Sequence, residues 1–411
     1  MITLLLLSAL VLLSGVPVFA VIILLTFYLY HTNDISITSS VVEFLRLGNM
    51  PSLIAIPLFS FGGFLLANSK APDRLLNLFS SLFGWMRGGV VLGSIITASI
   101  FTAFSGASGI TIIAIGGLLL PMLLKYGYKE KFSLGIVSTT GSLGLLFPPS
   151  LPIILYSIVG KIDINILFKK SFIYGIIIIV ALCIYAFIIS KKENIPTQKF
   201  DFSKLKLAIK QAGWEIPLPF IVIGGIYSGL ITASESASIT AFYVLIVECF
   251  IKKEIKINEI GDIIIKTMLL VGAIFIVLAT ALAFTNYIVD MELPAMIFNF
   301  ISQYVKNKFL FLVILNILIL AINMIEIFSA IIIVVPIIVP IALNYGVDPI
   351  HLAIIFLINL ELGYMTPPFG INLLLSSMRF QKPLTQIYKS VIPVWLVILF
   401  VLLMVTYFPP V

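Results

Sequence analysis

Residues 268–284 read MLLVGAIFIVLATALAF, a stretch that is apolar on every face of a helix. A helix of that kind has no stable place at the surface of a water-soluble globule; it belongs in a large core or in lipid. Comparable runs cover residues 1–30, 50–67, 90–124, 134–159, 172–190, 216–231, 234–251, 309–343, 352–378 and 391–407. No core of a 411-residue chain is large enough for all of them, because charged residues are only 10% of the sequence while 61% is apolar. A soluble domain carries about 25% charge, so lipid must be the solvent. A transmembrane barrel needs strands of about ten residues alternating apolar and polar, a pattern these runs lack. The predicted fold is an all-α polytopic membrane protein with about ten to twelve spans.

The remaining composition excludes several functions. The net charge of +7 comes from basic residues scattered along loops and not interleaved with aromatics, which points away from nucleic acid. Cys183 and Cys249 lie in apolar runs and read as buried thiols, with no disulfide expected. His31 and His351 fall at the ends of spans, and two distant histidines cannot build a metal centre. HExxH, GxSxG, Walker and DDxxD motifs are all absent, which argues against an enzyme or an ATP-driven pump. Residues 1–30 resemble a signal peptide as far as Ala20. They lack a positive n-region and continue apolar beyond it, so a retained span is expected.

Two runs, 90–124 and 309–343, are 35 residues each: too long for one span and too short for two with a turn. Re-entrant hairpins fit that length. With both entering and leaving on one side, 19 of the 25 Lys and Arg fall on a single face, which the positive-inside rule makes cytoplasmic. Treating either run as a through-span abolishes the asymmetry. The same trace gives two repeats. Residues 1–190 hold a hairpin at about 88–124 and an interrupted helix at about 132–159. Residues 191–233 form a cytoplasmic loop and one linker helix. Residues 234–411 repeat the order, with a hairpin at about 308–345 and an interrupted helix at about 349–379. A single linker helix inverts the second unit, and inverted repeats with broken helices are the mark of secondary transporters.

The breaks are FPPS, Phe147 to Ser150, and TPPF, Thr366 to Phe369, offset by 219 residues. Proline has no N–H and clashes with the preceding turn, so each doublet must break its helix in mid-membrane and free backbone carbonyls that protein, water or a cation must satisfy. Gly141, Gly144, Gly363 and Gly370 flank the breaks and permit close approach of backbone. The first hairpin turn reads SGASG, Ser105 to Gly109, and the second MIEIFSA, Met324 to Ala330, with Glu326 and Ser329. Hydroxyl and carbonyl oxygens of this kind suit Na⁺, while half-helix N-termini favour an anionic group. Plainer roles compete: kinking for the prolines and helix packing for SGASG. Glu326 and Glu361 are each either functional or structural, and Glu235 reads as an N-terminal helix charge.

The stretches FSGASGITIIAIGGLLLPMLLKYGYKEKFSLGIVSTTGSLGLLFPPSLPIILYSIVG, GGIYSGLITASESASITAFYVLIV and VVPIIVPIALNYGVDPIHLAIIFLINLELGYMTPPFGINLLL resemble the large (DctM-like) membrane subunit of tripartite ATP-independent periplasmic (TRAP) transporters, within the ion transporter superfamily. With the repeat order, the resemblance covers nearly the whole chain. It implies an elevator-type, Na⁺-coupled importer of a small organic acid, a dicarboxylate or sialic-acid-like anion, in the bacterial inner membrane. It also implies two partners, a small four-helix membrane subunit and a periplasmic substrate-binding protein. Carried over by position, one Na⁺ falls among Ser105, Gly106, Ala107, Ser108, Gly109, Gly144, Phe147 and Pro148. A second falls among Ile327, Phe328, Ser329, Gly363, Thr366 and Pro367. Substrate contacts are assigned to Ser105, Ser108, Ser150, Glu326, Ser329 and Asn372. Segments 73–85 and 292–305 resemble arm helices. The chain departs from many relatives in having Glu326-Ile327 for Asp-Pro and Ser329 for Ala, which changes the reach of the acid. A stand-alone Na⁺/anion symporter or a non-transporting scaffold are the alternatives.

Overall fold

The computed structural model describes residues 16–47, 50–197, 199–323, 327–368 and 370–408, so the first half of segment 1–30 lies outside it. Among the described residues every regular element is helical. The first half contains α1 (Val18–Thr32), α2 (Thr38–Leu47), α3 (Ala55–Asn68), α4 (Ala71–Phe83), α5 (Gly89–Ser105), α6 (Ser108–Ala114), α7 (Gly116–Lys125), α8 (Glu130–Leu143), α9 (Leu151–Val159) and α10 (Ile164–Lys192). After α11 (Phe202–Gln211) and α12 (Pro217–Ser228) come α13 (Ala233–Leu245), α14 (Ile257–Asp290), α15 (Leu293–Tyr304), α16 (Lys308–Asn323), α17 (Ile327–Asn344), α18 (Pro349–Tyr364), α19 (Ile371–Phe380) and α20 (Leu384–Tyr407).

Among the described residues five helices are long and apolar enough to cross a bilayer, or up to eight if each bent pair counts as one span. The ten to twelve spans expected from composition exceed that number, and further apolar runs form shorter helices of 10–17 residues, α3, α5, α12 and α18 among them. Helix α8 with its 3₁₀ extension bends by 43° into α9, α6 bends by 50° into α7, and α15 meets α16 at 118°.

Burial sorts the helices into a centre and a perimeter. Residues 132–143 of α8 and 352–363 of α18 are buried on every side, the signature of helices enclosed by other helices. The most apolar part of α10 is only 28% buried, leaving Ile176, Val180, Ile184 and Phe187 on the outside where lipid belongs. Around the central pair, α5 and α6 pack on α8, α16 and α17 pack on α18, and α20 packs on both. Small residues allow the close contacts: a Cβ on Gly135 of α8 would lie 2.3 Å from the Ser390 carbonyl oxygen of α20. On the other side α13 packs on α3, and α14 packs on α1, α3 and α17. Glu235 closes a capping box with Thr232 at the start of α13, the structural role its position suggested.

Candidate cation and substrate site

The SGASG turn ends α5 and begins α6. Gly106 takes φ +67°, the left-handed region, and a Cβ there would lie 2.4 Å from Leu151 Cγ, so both backbone and space demand glycine. Ser105 is fully buried and its hydroxyl has no hydrogen-bond partner. Gly144 brings backbone against backbone: its Cβ would fall 2.3 Å from Ser99 O and 2.6 Å from Ala103 N of α5. Gly141 does the same against α6, where the Ser108 carbonyl oxygen would be 3.2 Å from an added Cβ. The turn Ser105 to Gly109 and the first break therefore share one buried neighbourhood, and the orphaned Ser105 hydroxyl is an oxygen available to an alkali ion.

The freed carbonyls are handled locally. Pro148 and Pro149 remove the N–H groups that would bond Gly144 O and Leu145 O. Gly144 O instead accepts from Phe147 N at 3.0 Å, and Leu145 O accepts from the Ser150 hydroxyl. In the second break Gly363 O accepts from Thr366 N at 3.1 Å, the same bond 219 residues on. These carbonyls retain a second lone pair for a cation. Ser150 thus serves the backbone with its own hydroxyl. Phe147 and Pro148 also line an apolar cavity of about 300 Å³ with Ile96, Ser99, Phe172 and Pro219.

Thr366 Oγ1 donates to Leu362 O at 2.6 Å and accepts from Trp395 Nε1 of α20 at 3.0 Å. Trp395 carries no signal in the sequence that would have singled it out. Ile327 and Ser329 are buried and Phe328 is half-buried at the start of α17, which packs on α18; Gly363 is buried, and Pro367 is half-buried. Glu326 lies outside the described residues.

The two halves cross. Helix α6 of the first hairpin packs on α19, beyond the second break, and α17 of the second hairpin packs on α9, beyond the first. A Cβ on Gly109 would lie 2.8 Å from Leu375 Cδ1 of α19. Asn372 Nδ2 donates to Ser142 Oγ at 2.9 Å and ties α19 to α8. Asn372, Ser105 and Ser108 are buried.

Comparison with known proteins gives a consistent picture. The family model for the tripartite ATP-independent periplasmic transporter, DctM component, matches residues 1–411. The isethionate TRAP transporter permease protein DctMQ of Oleidesulfovibrio alaskensis is 33% identical over 371 residues, 90% of this chain, and the match spans 58% of that relative. The C4-dicarboxylate large permease protein DctM of Pseudomonas aeruginosa is 30% identical, with 92% of this chain and 88% of that protein covered. The ectoine/5-hydroxyectoine large permease protein UehC of Ruegeria pomeroyi is 28% identical over 93% of this chain and 90% of its own. Among solved structures, the YdaH transporter of Alcanivorax borkumensis matches with a TM-score of 0.61 at 11% identity, covering 90% of this chain and 86% of that one, a likeness of fold.

Proposed function

Because the chain belongs to the DctM family of TRAP-transporter large components, we propose that it is the membrane-translocating subunit of a Na⁺-coupled importer for a small organic anion. The observation that carries this reading is the matched pair of mid-helix breaks. Each has a Gly carbonyl capped by the amide three residues on, and each half's hairpin packs on the helix beyond the other half's break. That correspondence supports two inverted repeats, 1–190 and 234–411, joined through 191–233. The buried Ser105 hydroxyl and the second lone pairs of Gly144 O and Gly363 O fit Na⁺, a hard cation that takes neutral oxygens. Bound Na⁺ would supply the coupling, each charge moved contributing about 2.3 kcal/mol per 100 mV of membrane potential.

The substrate lies between the two turns, touching hydroxyl and amide groups of Ser105, Ser108, Ser329 and Asn372. C4-dicarboxylate and isethionate, named for the relatives, are small anions of the expected class. The partners are a small four-helix membrane subunit and a soluble periplasmic binding protein, in the bacterial inner membrane. The central helices α8 and α18 move with their hairpins as an elevator against α1, α3, α13 and α14, with α4 and α15 as arms. Reconstituted uptake tests this. Transport is expected only with an inward Na⁺ gradient and the cognate binding protein. Uptake unchanged by replacing Na⁺ with choline sinks the coupling, and uptake without any soluble partner makes the chain a stand-alone symporter.

A further inference from the structure

At the centre of α18 stands a carboxyl group that the two cation sites above do not use. Glu361 is fully buried, and neither carboxylate oxygen has a hydrogen-bond partner. The nearby Ser142 hydroxyl of α8 is the polar side chain that acts on it, and it donates to Thr139 O at 3.2 Å. Arg379 of α19 and Lys389 of α20 are exposed, whereas Glu361 is fully buried. Ser142 also accepts from Asn372 Nδ2, which leaves Asn372 Oδ1 itself without a partner although the residue is fully buried.

The orphaned oxygens continue along the same faces. Ser138 precedes Ser142 by one turn on α8, and Ser376 follows Asn372 by one turn on α19; both hydroxyls are buried and unpartnered. Buried polar atoms without partners number only a few per hundred residues in native proteins. Here several gather where α8, α18 and α19 meet, around one uncompensated carboxylate. Burying such a charge without a counter-ion is strongly unfavourable. Water would answer the hydrogen bonds; the charge needs a proton or a cation.

We propose that Glu361, Ser142 and Asn372 form an additional alkali-cation site, with the carboxylate supplying the charge and Ser142 Oγ and Asn372 Oδ1 the neutral ligands. One carboxylate balances one monovalent ion. Among the described residues no three His, Cys, Asp or Glu side chains gather to hold a metal, which separates this site from a divalent one. The site rests on the Na⁺-coupling reading and adds a charged ligand to it. Because Asn372 belongs to α19 and the other two to α8 and α18, occupancy locks the segment after the second break onto both central helices.

The test is a count of radioactive sodium bound at saturation by the purified full-length chain with its small membrane subunit, beside melting temperatures in NaCl and in choline chloride. Glu361→Gln is expected to bind one ion fewer per chain than wild type, and in choline chloride to melt at a higher temperature than wild type, since the unpaired charge is gone. Asn372→Leu keeps the carboxylate and is expected to weaken sodium binding by about 10–100-fold without lowering the count; it serves if the first variant does not fold. A wild-type chain that binds no sodium overturns the coupling reading and this site together. Saturable sodium binding in wild type, with Glu361→Gln giving the same count and half-saturation, overturns this site alone. The same holds if wild-type melting follows pH and not sodium, which would make a proton the neutralising species.

Discussion

At the residue scale, the turn between α5 and α6 depends on the absence of a single methyl group. Gly106 combines φ +67° with a Leu151 side chain only 2.4 Å from where a Cβ would sit. The left-handed conformation alone costs an L-residue about 1–2 kcal/mol, and the overlap with Leu151 adds to it because the surrounding core is close-packed. Gly106→Ala is therefore expected to lower the stability of the purified protein by about 2–4 kcal/mol in total, read as a fall in melting temperature in detergent. Gly224→Ala is the control, since a Cβ there meets nothing within 4 Å; the two variants melting alike would remove Gly106 from this role. The need for a small residue was legible in SGASG. That Leu151, beyond the Pro-Pro break, is what forbids a larger one was not, since a contact between segments 45 residues apart leaves no trace in local pattern.

At the element scale, proline chemistry made both helix breaks legible. Missing N–H groups at Pro148-Pro149 and Pro367-Pro368 had to interrupt α-helix, and α8 ends at Leu143 and α18 at Tyr364, just before the doublets. What sequence did not reveal is how the freed oxygens are answered. Gly144 O and Gly363 O take short-range amide bonds, while Leu145 O takes the Ser150 hydroxyl. Which of several nearby donors turns inward is set by loop geometry, not residue type. Trp395 donating to Thr366 across from α20 belongs to the same category. Two variants separate the roles. Ser150→Ala leaves a buried carbonyl short of a donor and is expected to destabilise by about 1–3 kcal/mol, with unchanged sodium half-saturation. Thr366→Val removes a hydroxyl that both donates and accepts, stranding Trp395 Nε1, and is expected to lower stability similarly while also raising the sodium concentration needed for half-maximal uptake. An unaltered sodium requirement in Thr366→Val would remove that hydroxyl from the second cation site.

Across the whole molecule, one buried cluster fastens parts of the chain that lie far apart in sequence. Arg74 on α4 pairs with Glu215 just before α12, with Glu248 in the π-helical turn after α13, and with Glu254 in the following loop. Glu254 also accepts from Lys70 N at 2.8 Å. The side chains are 10% exposed for Arg74, 3% for Glu215, 0% for Glu248 and 18% for Glu254, so water screens little of the interaction. The partners are 141 to 180 residues from Arg74, so no local pattern in the sequence shows the cluster. The cluster holds the amphipathic helix α4 to the segment before α12 and to the end of α13; the proposed elevator would make α4 an arm and α13 part of the stationary frame. Removing the single cation leaves three carboxylates sharing one enclosed space. Arg74→Met is thus expected to cost about 3–5 kcal/mol, the loss typical when one partner of a buried ion pair is deleted. Adding Glu215→Gln and Glu248→Gln to Arg74→Met should recover most of that loss, because the uncompensated charge and not the missing guanidinium contacts dominates it. Melting curves of the single and triple variants decide the matter: a triple variant no more stable than Arg74→Met would mean that the arginine acts through packing, and the link from α4 to its partners would then be steric instead of electrostatic.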